Sequence, residues 1–139
     1  MRHTAVRELL APRAAVWSLL AEPYHLSDWW PGIAGVQPDR RGLAPGARWQ
    51  IQAPGRPGLI RRPGAGGMII ILAVETERRF AFQLVHERVE AELVLEDAGS
   101  GRTKVTLTVD APFLSGVNRR TAVRALSRLY ALCQTSAEP

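Results

Sequence analysis

The chain has 139 residues, of which 46% are hydrophobic and 22% charged, and its formal net charge is +5. This length and composition predict one globular domain over residues 1–139, and no apolar run approaches the roughly 20 residues that span a bilayer. The first residues contain charges and lack the apolar core of a signal peptide, so the expected location is the cytoplasm.

The polar composition excludes several kinds of site. The basic residues are seventeen arginines and one lysine, spread along the chain without a tract of interleaved aromatic residues, which does not favour a nucleic-acid partner. The single cysteine, Cys133, excludes an internal disulfide, and its place in an apolar helical stripe indicates a buried small hydrophobe. No two of the three histidines have metal-ligand spacing, so we expect neither a metal nor a cofactor.

The first predicted elements are a strand over residues 4–10 and two short helices. Pro12 suits the first turn of a helix, and apolar residues follow it in helical spacing. A second short helix over residues 23–30 ends with two adjacent tryptophans, and the Pro–Gly pair after them stops it.

Six strand signals follow at close intervals. Residues 47–53 alternate cleanly, with Trp49 on the apolar face and Gln50 on the polar face. The strand over residues 67–75 is apolar on both faces, which indicates a strand covered on each side or packed in a homodimer. The remaining strand signals cover residues 33–39, 79–87, 89–97 and 103–111, with a hairpin turn at 98–102. The segment 53–67, rich in glycine, proline and arginine, predicts a long flexible loop.

The last segment, residues 112–134, predicts an amphipathic helix. It either kinks near residues 116–118, or Asn118 caps a separate helix that begins at Arg119. Three arginines form a column on its polar face, and this column is either a solvated surface or an anion-binding stripe. The apolar stripe consists of Ala122, Leu126, Leu129 and Cys133, with Val123 and Tyr130 on its flank.

This order of elements predicts an α+β fold in which a curved antiparallel sheet surrounds one long helix. Strands joined by short connections pair antiparallel, and the apolar stripe of the final helix needs a large apolar surface to cover it. The sheet face is the surface available, and a twisted sheet around a helix leaves room for a cavity.

Two stretches resemble a known family. "LLAPRAAVWSLLAEPYHLSDWWPGI" is similar to the opening of START-like, helix-grip proteins (the SRPBCC superfamily), and "GSGRTKVTLTV" resembles their penultimate turn, although Arg102 separates the Gly–Thr pair. The final helix matches in place and length. The nearest branch is the polyketide cyclase/dehydrase and lipid-transport group, and this resemblance implies a cavity for a hydrophobic or aromatic small molecule.

The predicted facing of strands and helix defines a candidate site. We expect one cavity that a ring of Trp29 or Trp30 closes at one end; the alternative is that both rings only pack between helix and sheet. His86, predicted on the same strand face as Phe82, suits proton transfer or hydrogen bonding. The alternative is that strand twist carries it to the solvated rim. The residues expected to line the cavity are Trp49, Phe82, His86, Leu126 and Tyr130.

Three functions are compatible with this sequence. The first is binding of a hydrophobic or aromatic small molecule in the cavity. The second is a polyketide cyclase or dehydratase that shapes and dehydrates a bound substrate, with His86 as the catalytic candidate. The third is a protein-interaction module without a ligand. The apolar walls and scarce polar groups favour binding.

Overall fold

The computed structural model of the protein describes residues 1–52 and 67–137. Its strands form one seven-stranded antiparallel sheet with the order β1-β7-β6-β5-β4-β3-β2. The strands are β1 (Arg2–Leu9), β2 (Gly35–Gln37), β3 (Arg48–Gln52), β4 (Met68–Glu75), β5 (Arg79–Leu84), β6 (Val89–Asp97) and β7 (Thr103–Asp110). The predicted loop over residues 53–67 lies outside the described residues except for Gly67.

The helices cover one face of this sheet. They are α1 (Arg13–Ala21), a single 3-10 turn (Pro23–His25), α2 (Leu26–Trp29) and α3 (Arg119–Ala137). The main contacts of α3 are with β1, β7 and α2, so the long helix lies across the sheet toward its β1 edge. The predicted α+β, helix-grip architecture is confirmed.

Of the two alternatives for the C-terminal helix, the structure shows the capped one. The Asn118 side chain accepts a hydrogen bond of 2.9 Å from the backbone N–H of Arg120, and the Thr121 hydroxyl accepts one of 3.2 Å from the Asn118 N–H. These bonds satisfy backbone donors at the helix start and allow the chain to change direction there. The helix therefore begins at Arg119, and the preceding segment is free to adopt another conformation.

The inner face of the sheet carries the core. Phe82 pairs with Ile71 on one side and with Ala91 on the other, and Trp49 pairs with Ile69, so large apolar side chains lie in rows across the strands. All five are buried. The alternation predicted for β3 and β5 has the correct facing, because Trp49 and Phe82 point inward while the neighbouring glutamines do not.

Strand β4 departs from simple alternation. Its pairing with β5 shifts between Ile71 and Ala73, so Leu72 is the extra residue of a β-bulge. Before the bulge Ile71 faces inward, and after it Val74 shares the inner face by pairing with Phe80. On the outer face Leu72 is exposed, so in the described part of the chain the second apolar face of this strand is only partly covered.

A buried hydroxyl joins the sheet to the first helix. Thr103, at the start of β7, has no exposed area, and its hydroxyl donates a hydrogen bond of 2.7 Å to the carbonyl of Ala11 just before α1. This bond explains why a threonine follows the hairpin turn, since it satisfies a backbone acceptor where the chain leaves the sheet.

We expect Thr103→Val to lower the free energy of unfolding by about 1–3 kcal/mol, because it leaves the buried Ala11 carbonyl without a donor while conserving side-chain volume. Thr103→Ser keeps the hydroxyl and is the matched control. Urea unfolding followed by circular dichroism measures both. Equal losses in the two variants would mean that the methyl group, not the hydrogen bond, stabilises this junction.

Candidate ligand-binding site

Five aromatic rings form a continuous cluster over the inner face of β3 and β5. They are Trp29, Trp30, Trp49, Phe80 and Phe82, and consecutive ring centroids lie 5.4 to 6.3 Å apart. Phe82 is at the centre, because Trp29 at the end of α2 and Trp30 directly after it both meet its ring edge-on. Such separations and angles are those that aromatic pairs prefer.

The adjacency of two tryptophans is explained by the end of α2. This helix has four residues, and the backbone N–H of Trp30 closes it with a hydrogen bond of 2.8 Å to the Leu26 carbonyl. Trp30 itself has an extended backbone, so its ring leaves the helix in a different direction from that of Trp29. The two rings meet at an interplanar angle of 87° and both reach Phe82.

The cluster is closed in this structure. Its five side chains are at most 2% exposed, so they border almost no space large enough for a water molecule. A ligand placed among them requires at least one ring to move. Trp29 and Trp30 are the rings best placed for such movement, since Trp29 ends a four-residue helix and Trp30 follows it, while the other three rings belong to sheet strands.

One polar group in the cluster has no partner. The indole Nε1–H of Trp29 is the one buried side-chain donor or acceptor among the described residues that makes no hydrogen bond. An unpaired buried donor costs about 1–3 kcal/mol, so such groups are rare in folded proteins. The side chains that the structure describes therefore include one buried N–H without a partner, on an indole whose ring meets those of Trp30 and Phe82.

The other inward tryptophan has its partner. Trp49 Nε1–H donates a hydrogen bond of 2.7 Å to the Gly42 carbonyl in the connection between β2 and β3. The Asp39 carboxylate holds this connection, since it accepts bonds of 3.0 Å and 2.9 Å from the backbone N–H groups of Arg41 and Arg48. The Arg48 bond is the main reason why the pKa of Asp39 lies below its ordinary value of 3.8.

We expect Asp39→Ala to lower the melting temperature at neutral pH. Because the folded pKa of Asp39 is lowered, its stabilisation is complete above the unfolded pKa and is lost as the pH falls through the folded value. The difference from wild type should therefore shrink below about pH 4, as thermal unfolding at a series of pH values can measure. Asp39→Asn keeps one acceptor oxygen, so its melting temperature should lie between those of the wild type and Asp39→Ala. A difference independent of pH would contradict this account.

The two residues of α3 that were predicted to line the cavity, Leu126 and Tyr130, lie in different surroundings. Leu126 is buried and belongs to the same apolar core as the rings. Tyr130 lies against the edge strand β1, where the guanidinium carbon of Arg7 is 4.2 Å from its ring centroid and Gln134 donates a hydrogen bond of 3.1 Å to its hydroxyl. Strand β1 is three places from β5 in the sheet, so the structure does not bring the phenol to Phe82. A ligand role for either residue stays a prediction.

The predicted facing of His86 is wrong. Strand β5 ends at Leu84, and His86 lies exposed in the turn over residues 85–88 rather than on the face of Phe82. A Cβ atom on Gly67 would come within 3.1 Å of the imidazole Cδ2, so the ring lies close to the backbone at the start of β4. The alternative of a solvated position at the rim fits this placement, and the catalytic role of His86 stays a prediction.

Other chemistry is limited in the described part of the chain. No group of three histidine, cysteine or acidic side chains is arranged to hold a metal ion there. Cys133 is buried, and this burial raises the pKa of its thiol, which disfavours the nucleophilic thiolate. Among these same residues, no helix has both the length and the apolar character needed to span a membrane.

A groove of about 460 Å³ lies on the opposite, outer face of the sheet. Much of its charge is already paired: Arg79 contacts Glu92 at 2.7 Å and Glu75 at 3.4 Å, and Asp110 lies 3.6 Å from the amino group of Met1. These pairs involve three of the five charged side chains that line the groove. The ring cluster, which contains a buried donor without a partner, is the stronger candidate site.

The sequence profile of the family described as polyketide cyclase/dehydrase and lipid transport matches residues 2–133. The chain belongs to this family. The match runs from β1 into α3, so it includes both stretches on which the resemblance rested. No curated protein matches the chain.

Solved structures show the same fold in other members of this structural group. The Zhui aromatase/cyclase from Streptomyces sp. R1128 superposes with a TM-score of 0.72 at 15% identity, covering 99% of this chain and 96% of that one. Protein NE0264 from Nitrosomonas europaea has a TM-score of 0.69 at 20% identity, with coverages of 98% and 96%. CalU16 from Micromonospora echinospora has a TM-score of 0.68 at 19% identity, with coverages of 97% and 77%. At these identities the likeness concerns the fold.

Two features of the candidate site were not predicted from the sequence. Phe80 belongs to the cluster, and its position two residues before Phe82 on an alternating strand was the available signal. The unpaired N–H of Trp29 had no sequence signal, because hydrogen-bond satisfaction depends on which atoms surround the ring.

Proposed function

We propose that this domain binds a hydrophobic or aromatic small molecule between the sheet and the helices, at the ring cluster. In this proposal the Trp29 indole N–H donates a hydrogen bond to an oxygen of the ligand. The observation that carries the proposal is that this donor is buried and has no partner among the described residues, on an indole that contacts two other aromatic rings.

The chemistry of the site defines the ligand class. Rings of Trp29, Trp30 and Phe82 present edges and faces that suit a flat, apolar skeleton. The free N–H suits a carbonyl, ether or hydroxyl oxygen attached to that skeleton, because a donor that is already desolvated gains a full bond when an acceptor arrives. An aryl ketone has both features.

Family membership and fold support binding more directly than they support a reaction. The fold likeness to an aromatase/cyclase raises the alternative of a cyclase or dehydratase. Such chemistry requires an acid or base within hydrogen-bond reach of the substrate, and none of the five clustered rings has a group that titrates near neutral pH. His86 and Tyr130, the two candidates from the sequence, lie at the rim and beside Arg7. Binding is therefore the function that the geometry favours.

The test uses two probes of similar size and shape, 2-acetylnaphthalene and 2-isopropylnaphthalene. Both are apolar and flat, and only the first has an acceptor oxygen. We expect the wild-type protein to bind the ketone roughly tenfold more tightly, the value of one hydrogen bond to a buried donor. Trp29→Phe removes the N–H and keeps an aromatic ring, so it should abolish this preference. Isothermal titration calorimetry measures all four affinities.

Stability measurements supply the control. Trp29→Phe removes an unpaired donor as well as part of the ring, so its loss of unfolding free energy should be smaller than that of Trp29→Ala, about 3–5 kcal/mol. Absence of binding by both probes would contradict the proposed site. A ketone preference that survives in Trp29→Phe would contradict the role of the indole while leaving an apolar site.

A further inference from the structure

A turn between β7 and α3 displays two large apolar side chains. The Ser115 N–H donates a hydrogen bond of 3.2 Å to the Pro112 carbonyl, which closes a four-residue turn with Phe113 and Leu114 at its tip. Phe113 is 72% exposed and Leu114 88% exposed. Single exposed apolar residues are common, but two in succession at the tip of an ordered turn form a projecting apolar surface.

Leu114 occupies a position that disfavours leucine. Its φ angle is +67°, and it is the third residue of the turn, where type II turns favour glycine or asparagine. A residue with a bulky side chain is strained in this left-handed region, whereas glycine would adopt it freely. The fold therefore gains nothing from this side chain at this position, since it is strained in backbone conformation and almost fully exposed.

Positive charge lies next to this tip. From Ala111 to Gln134 the chain has four arginines and no acidic residue. Arg119, Arg120 and Arg124 surround a shallow groove of about 280 Å³ together with the exposed Val123. In the described part of the chain every ion pair involves other residues, so no carboxylate there lies within 4 Å of these three guanidinium groups.

The apolar tip and the arginines occupy the same end of the molecule. Arg119 lies five positions after Leu114, so their Cα atoms are at most about 18 Å apart. Arg124 is about 7.5 Å further along the helix axis. Because β7 ends at Asp110 and the sheet is antiparallel, this end is opposite to the β4–β5 turn.

We propose that this end of the protein docks on the surface of an anionic lipid bilayer. Phe113 and Leu114 insert among the lipid chains near the interface, and Arg119, Arg120 and Arg124 contact the phosphates of the headgroups. Charge complementarity supports this partner, because the segment carries charge of one sign and a basic surface attracts anionic leaflets. The apolar tip favours a bilayer over an acidic protein or free phosphate, since only a bilayer offers apolar depth directly beneath a layer of negative charge.

The experiment is co-sedimentation of the full chain with phosphatidylcholine vesicles, with and without phosphatidylglycerol, at low and high salt. We expect binding to vesicles that contain phosphatidylglycerol, weakened by salt because the attraction is screened. Leu114→Gly should reduce the partition coefficient roughly tenfold, since burial of one leucine side chain is lost. Arg120→Ala and Arg124→Ala should each reduce it roughly fivefold. Leu114→Gly also relieves the backbone strain, so it should not lower the melting temperature.

Control variants carry the same chemical changes elsewhere. Leu10→Gly removes an exposed leucine at the opposite end of β1, and the double variant Arg40→Ala, Arg78→Ala removes two exposed charges from connections at that same opposite end. These proteins should bind the anionic vesicles almost as the wild type does. Both variants remove an exposed leucine, so a difference in vesicle binding between them reports which end of the molecule meets the bilayer, and the melting temperature of each reports its separate effect on stability.

Three results would overturn the proposal. The first is absence of binding to anionic vesicles at low salt. The second is an equal loss in the control variants, which would assign the binding to the net charge of +5 rather than to this end. The third is binding that Leu114→Gly leaves unchanged and that glycerol phosphate or polyglutamate displaces, which would indicate recognition of a free phosphate or an acidic polypeptide. None of these results bears on the ligand proposed for the ring cluster.

Discussion

The arrangement of the protein depends on how one curved sheet covers its inner face. An antiparallel sheet with one apolar face must bury that face against other elements. Here α3 covers the β1 and β7 side, whereas the rings of Trp29 and Trp30, at the end of α2, cover β5. A ligand bound over β5 therefore competes with Trp29 and Trp30 for the same surface. Its affinity includes the free energy of moving those rings, so binding and the stability of the cluster are coupled.

The sequence was sufficient to predict the fold because its signals are local and regular. A period of two fixed which side chains of β3 and β5 face inward, and Trp49 and Phe82 are where that period places them. The alternation of apolar and polar residues does not show at which residue a strand stops pairing with its neighbours. Beyond Leu84 the chain turns, and Arg88 adopts a positive φ angle before β6 begins, so His86 leaves the sheet. The bulge at Leu72 likewise changes facing without a signal in the alternation.

Helical periodicity has a similar limit. The pitch of α3 correctly predicts the buried stripe, because side chains three and four positions apart share a face. It does not show which strand lies opposite that face. The helix packs against the edge strand β1, so Tyr130 meets Arg7 instead of the ring cluster. Contacts between distant elements result from packing of the whole molecule, and one chain segment contains little information about them.

Two positions break local rules of stability, and they do so in different ways. Trp29 buries a donor without an acceptor, and Leu114 combines a positive φ angle with an exposed apolar side chain. The local preferences of a residue usually agree with its place in the folded structure. Positions where they disagree without local compensation tend to be functional or strained sites. Inside the molecule the missing partner is an acceptor atom, which a small molecule can supply. At Leu114, on the outside of the molecule, the missing partner is an apolar medium beside negative charge, which the surface of an anionic bilayer provides. The two positions belong to different elements and lack different things, so recognition of a ligand and docking on a bilayer need not depend on each other.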